Sequence, residues 1–127
     1  MKVTVLIDSS GWIEYFGDGP KAKKFALYIE NATESNTIVP TIVIFEVFKK
    51  IKKEFGEQQA MEKIAYIFES TKTIDLDKTT AIEAAATSLQ TGLAMADAII
   101  KTTADLNKAK IITSDEHFKN LPNTEII

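Results

Sequence analysis

The chain contains no cysteine, no arginine and a single histidine, His117. Without cysteine there are no disulfides, thiolate metal sites or thiol nucleophiles. One histidine cannot build a multi-histidine zinc site within one chain. A Ser-His-Asp triad would have to use His117, and no Gly-x-Ser-x-Gly turn accompanies it. Metal chemistry must therefore rest on oxygen ligands, which favours magnesium or manganese. All fifteen cations are lysines, so bidentate guanidinium recognition of phosphate is absent. No apolar run approaches the roughly 20 residues of a membrane span. Met1-Lys2, five strand-like residues and an acid lack the length and cleavage pattern of a signal peptide, so a cytoplasmic protein is expected.

What is present reads as globular. At 127 residues, with 45% hydrophobic and 26% charged residues, the chain can bury a core of its own, and one domain over residues 1–127 is expected. A net charge of −3 argues against a whole-surface nucleic-acid binder and leaves room for a local basic patch.

Residues 3–7, Val-Thr-Val-Leu-Ile, read as a strand buried on both faces, the habit of a central parallel strand. A short helix over 10–16 follows, capped by Ser9 or Ser10. Its aromatic surface (Trp12, Tyr15, Phe16) suggests packing for some side chains and a partner contact for at least one. Helices are expected over 21–31, 41–55, 57–70, from Asp77 or Thr79 to Gly92, and over 94–106, with Thr41 as an N-cap. Ile44, Val47, Phe48, Ile51 and Phe55 form the expected stripe of the 41–55 helix. Met61, Ile64, Ala65 and Phe68 form that of the next. Strands are expected over 38–40, 73–76, 110–114 and 124–127, and a helical turn over 116–120. Alternating strands and helices give an α/β fold with a mainly parallel sheet.

Four acids stand out. Asp8 and Asp115 each follow a strand, where α/β sheets place their chemistry, although each also suits a helix cap. Glu46 is the only charge among residues 42–48; Lys49 and Lys50 offer it ordinary helix pairing. Asp97 lies among small alanines in a helix, with Lys101 as its ordinary partner. If the four converge, their mutual repulsion calls for a divalent cation. The matching chemistry is metal-assisted attack of water on a phosphodiester.

In order along the chain stand residues 3–13 with Asp8-Ser9-Ser10-Gly11-Trp12-Ile13, then Phe45-Glu46, Ala96-Asp97-Ala98, and Thr113-Ser114-Asp115-Glu116-His117-Phe118. This ordered set resembles the PIN-domain nucleases, and among them the VapC toxins of toxin–antitoxin pairs. The resemblance implies a PIN-like three-layer fold with a five-stranded sheet ordered 3-2-1-4-5. It also implies a Mg²⁺- or Mn²⁺-dependent endoribonuclease leaving a 5′-phosphate and a 3′-hydroxyl. It assigns the acidic quartet to Asp8, Glu46, Asp97 and Asp115, with Asp8, Asp97 and Asp115 as metal ligands and Glu46 orienting or deprotonating the water. Ser10 and Thr113 would support the acids. It implies a homodimer held inactive by a VapB-type antitoxin, with the 12–16 and 42–55 helices as candidate contacts. Such toxins often carry arginines near the site; here RNA contact falls to lysines, Lys50 and Lys53 above all, since they share the side of Glu46.

Rival readings are weaker. A haloacid-dehalogenase-type phosphatase needs a second Asp where Ser10 stands, and a phospho-receiver needs paired acids after its first strand. The remaining alternative is a PIN-fold module that binds RNA or a partner without turnover.

Overall fold

The computed structural model describes residues 3–127; Met1 and Lys2, on which the leader-peptide reading and the start of the expected domain rest, lie outside the described residues. The chain runs β1 (Val5–Ile7), α1 (Ser9–Phe16), α2 (Ala22–Ile29), β2 (Thr37–Pro40), α3 (Thr41–Phe55), α4 (Glu57–Ser70), β3 (Lys72–Ile74), α5 (Lys78–Thr91), α6 (Met95–Leu106), β4 (Lys110–Thr113), a one-turn 3-10 helix (Glu116–Phe118) and β5 (Thr124–Ile126). The five strands form one parallel sheet in the order β3-β2-β1-β4-β5, the expected arrangement, flanked by the helices.

Every residue of β1 and β2 is buried, as a central strand covered on both faces requires. The core gathers Leu6, Ile7, Val39, Val43, Val47, Ile111 and Ile112 with the rings of Trp12, Phe25 and Phe118. Pairing in β1 begins at Val5, opposite Thr37 and Lys110, whereas Val3 is 68% exposed. Apolar character alone therefore overextended this strand.

Several local expectations change for identifiable reasons. Asp8 caps α1, in place of Ser9 or Ser10, by accepting from the Gly11 N–H. Thr41 is not a cap: β2 passes into α3 with no linking residue, so the extended Pro40 holds that place and Thr41 is already helical. In α3 the buried stripe is Val43, Val47 and Ile51, and Phe55 is exposed. In α4 it is Ala60, Ile64 and Ile67, with Met61 and Phe68 outside. Both helices present more than one apolar stripe, and spacing alone cannot choose between them. Trp12 is fully buried and donates from Nε1 to the Ile7 carbonyl at 3.1 Å, so it belongs to the core and not to a contact surface. Gly92, at φ +79°, ends α5 in the left-handed region, as expected of a glycine there.

No helix among the described residues is long and apolar enough to cross a membrane.

Candidate active site

β1 and β4 are hydrogen-bonded neighbours in the middle of the sheet, so the residues after them leave the same edge. Asp8 is 3% exposed. Its Oδ1 accepts from the Ser10 hydroxyl at 2.5 Å, and its Oδ2 accepts from the Thr113 hydroxyl at 2.7 Å. Ser10 Oγ accepts the Ser114 N–H at 3.0 Å, and Thr113 Oγ1 accepts the Asp115 N–H at 2.9 Å. These bonds bind the end of β1 to the end of β4 and hold the Asp8 carboxyl in place. Burial nevertheless pushes the Asp8 carboxyl up to about 6, against the pull of the Ser10 and Thr113 hydroxyls and the Gly11 N–H; the charge of Asp115 adds to the rise.

Asp115 caps the 3-10 turn by accepting the His117 N–H at 2.9 Å, and the same Oδ1 lies 2.9 Å from His117 Nδ1. Asp97, in the first turn of α6, brings its Oδ2 to 3.7 Å from that Nδ1. Desolvation raises the Asp97 carboxyl, Asp115 adds repulsion and His117 opposes. Glu46 extends from α3, which packs against both α1 and α6. Its Oε1 is buried without a hydrogen-bond partner among the described residues. Burial raises this carboxyl, and the charges of Asp8, Asp97 and Asp115 raise it further, with the Ser9 hydroxyl opposing. Glu46 thus feels the charges of the other three acids, and Asp8 and Asp97 each feel that of Asp115.

The ordinary partners of these acids are engaged elsewhere. Lys50 pairs with Glu54 at 2.6 Å, Lys49 lies 5.7 Å from the centre of the Phe45 ring, and Lys101 pairs with Asp105 at 2.6 Å. Capping accounts for Asp8 and Asp115 only in part, because a cap uses some of a carboxylate's lone pairs and leaves the others.

The donor set fits a divalent cation. A buried carboxylate oxygen without a partner is costly, and a bound cation would offset the burial that raises the Asp8, Glu46 and Asp97 carboxyls. One ligand atom each from Asp97, Asp115 and His117 lie within 4.8 Å of one another. His117 joins the acids here, although the sequence gives a lone histidine no evident ligand role. Its one signal in the sequence is its place two residues after Asp115. The expected RNA lysines lie apart from this cluster. Lys50 lines a groove of about 340 Å³ with Ile13, Phe16, Ile51, Glu54 and Phe55, and Lys53 is exposed on α3.

Comparison with known proteins agrees with this fold. No curated protein sequence matches the chain. Among solved structures, a toxin–antitoxin complex from Klebsiella pneumoniae superposes with a TM-score of 0.78 at 23% identity, over 96% of this chain and 96% of that one. VapC20 of Mycobacterium tuberculosis, a sarcin-ricin loop cleaving toxin, gives 0.80 at 10% identity, over 97% and 98%. VapBC2 of Rickettsia felis, bound to a promoter DNA fragment, gives 0.71 at 17%, over 98% of each. At these identities the likeness is one of fold. The family model described as PIN domain matches residues 5–123, nearly the whole sheet and every acid of the cluster, and the chain belongs to the PIN domain family.

Proposed function

We propose that this protein is a metal-dependent endoribonuclease, the toxin of a VapBC-type pair, acting in the cytoplasm as a single catalytic domain. The observation that carries the reading is the convergence of Asp8, Glu46, Asp97 and Asp115 around a buried Glu46 oxygen that has no partner among the described residues. Asp97 and Asp115 would hold a Mg²⁺ or Mn²⁺ ion, and Asp8, fixed by Ser10 and Thr113, would complete the ligand set. When bound, the ion supplies charge neutralisation and Lewis-acid polarisation at the scissile phosphate. Glu46, with its raised carboxyl, accepts the proton of the attacking water. The water oxygen bonds to phosphorus, the P–O3′ bond breaks, and the departing 3′-oxygen takes a proton from solvent, leaving a 5′-phosphate and a 3′-hydroxyl. Lys50 and Lys53, outside the acidic cluster, contact backbone phosphates of the bound strand.

The similarity in fold to the loop-cleaving toxin of Mycobacterium and to the toxin–antitoxin complex of Klebsiella supports the reading. The groove between Ile13, Phe16 and Phe55 is suited to an apolar segment of a VapB-type antitoxin. A second groove of about 580 Å³, lined by Leu76, Ala84, Leu89, Met95 and Ile99, lies between α5 and α6 and is suited to a second copy of the chain. Purified protein should cut a mixed RNA substrate with Mg²⁺ or Mn²⁺ and stop on addition of EDTA. Metal binding without any cleavage of structured or single-stranded RNA would favour a binding-only PIN module.

A further inference from the structure

His117 is the only histidine in the chain. It sits on the turn Glu116–Phe118, which the fully buried Phe118 ring anchors in the core. Its imidazole is 78% exposed, so packing does not account for its direction toward the acids. Nδ1 lies 2.9 Å from Asp115 Oδ1 and 3.7 Å from Asp97 Oδ2. Two arrangements produce such distances. An imidazolium could bridge the two carboxylates as a counter-charge, or a neutral imidazole could share a cation with them. An octahedral ion with bonds of about 2.1 Å sets adjacent ligands roughly 3.0 Å apart and opposite ones roughly 4.2 Å apart, and both separations from Nδ1 fit that span.

Resting on the reading that these acids hold a divalent ion, we propose that His117 Nδ1 ligates the same ion as Asp97 and Asp115 and thereby selects Mn²⁺ over Mg²⁺. Mg²⁺ takes oxygen ligands and keeps its waters, so an imidazole gains it little. Transition ions accept imidazole readily, and a mixed set of two carboxylates and one nitrogen shifts preference toward them. The exposure of the ring leaves this ligand open to solvent, whereas Asp8 is buried.

The test uses the full, untagged chain and its His117→Gln variant, with thermal melting to show that both are folded. Mn²⁺ and Mg²⁺ are titrated into each, and the bound Mn²⁺ is examined by electron spin-echo envelope modulation. The wild type should show a directly coordinated nitrogen, whose imidazole source is unambiguous because no other histidine exists. The variant should lose that signal and bind Mn²⁺ about tenfold more weakly, with Mg²⁺ affinity changed less than about twofold. Mn²⁺ bound without nitrogen modulation overturns the proposal. So does a variant that binds Mn²⁺ as tightly as the wild type or more tightly, since removal of a competing counter-charge gives that result. Wild type that binds neither ion removes the underlying metal reading as well.

Discussion

Asp8 does two things with one carboxyl: it caps α1 and it faces the other acids. The cap alone would leave it ionised at neutral pH without strain, but burial raises it from 3.8 to about 6. The folded state therefore binds its proton more tightly than the unfolded chain does. Stability is gained as pH falls through about 6, and the gain is complete below the unfolded value. Glu46 and Asp97 are raised as well and act in the same direction. Asp77 and Glu125 are lowered, so the stability they lend is lost only at more acidic pH. Metal-free protein should melt at a higher temperature at about pH 5 than at about pH 7; a flat or opposite trend in EDTA-treated samples would contradict the strained acidic cluster. Glu46→Gln removes a charge repelled by Asp8, Asp97 and Asp115. It should raise the melting temperature of the metal-free protein by roughly 2–5 °C while abolishing cleavage; calorimetry and an RNA assay on the same sample check both. The acids themselves were legible in the sequence, because a charge in an apolar helix and an acid ending a strand are both exceptions to pattern. His117 was not, because its role depends on the 3-10 turn that folds it back over Asp115.

At the scale of elements, α1 approaches β1 closely because residue 11 has no side chain. A Cβ there would meet Ile7 Cγ2 and Phe25 Cε1 at 2.7 Å. Gly11→Ala should cost about 1–3 kcal/mol in urea unfolding, and it should also reduce cleavage, since a displaced α1 loosens the Asp8 cap. Stability within about 0.5 kcal/mol of wild type would show that the interface yields more easily than the contacts imply. Element order and type were readable from alternating apolar runs and breakers such as Gly56 and Gly92. The buried face of α3 and α4 was not. Phe55, Met61 and Phe68 fit a helical stripe as well as the residues that are buried, and only the packing of α3 on β2 and of α4 on α3 distinguishes them. Which ring of the aromatic cluster is buried was not legible either: sequence shows the cluster, while only the fold shows that the Trp12 indole reaches the Ile7 carbonyl.

Over the whole molecule, a net charge of −3 without arginine leaves lysines as the only cationic side chains for the proposed RNA contact. Replacing Lys50 and Lys53 together by alanine should raise KM for RNA severalfold with little change in kcat, as steady-state cleavage would show. Leu89 is 91% exposed beside the α5–α6 groove, and Ile82 and Met95 are exposed at 73% and 72%. If this face joins two copies, Leu89→Lys should yield monomers in sedimentation analysis; an unchanged mass would place the dimer interface elsewhere. The topology was legible as alternating strands and helices, and the 3-2-1-4-5 order followed from the family resemblance, since the periodicity of separate strands does not specify their neighbours.

The most direct measurement is RNA cleavage by Asp97→Asn and wild-type protein, prepared identically and matched in melting temperature, in the presence of Mn²⁺. The expected result is metal-dependent cutting by the wild type, with 5′-phosphate product ends, and none by the variant. Equal cutting by both proteins would contradict a catalytic centre built on Asp97 and its neighbouring acids.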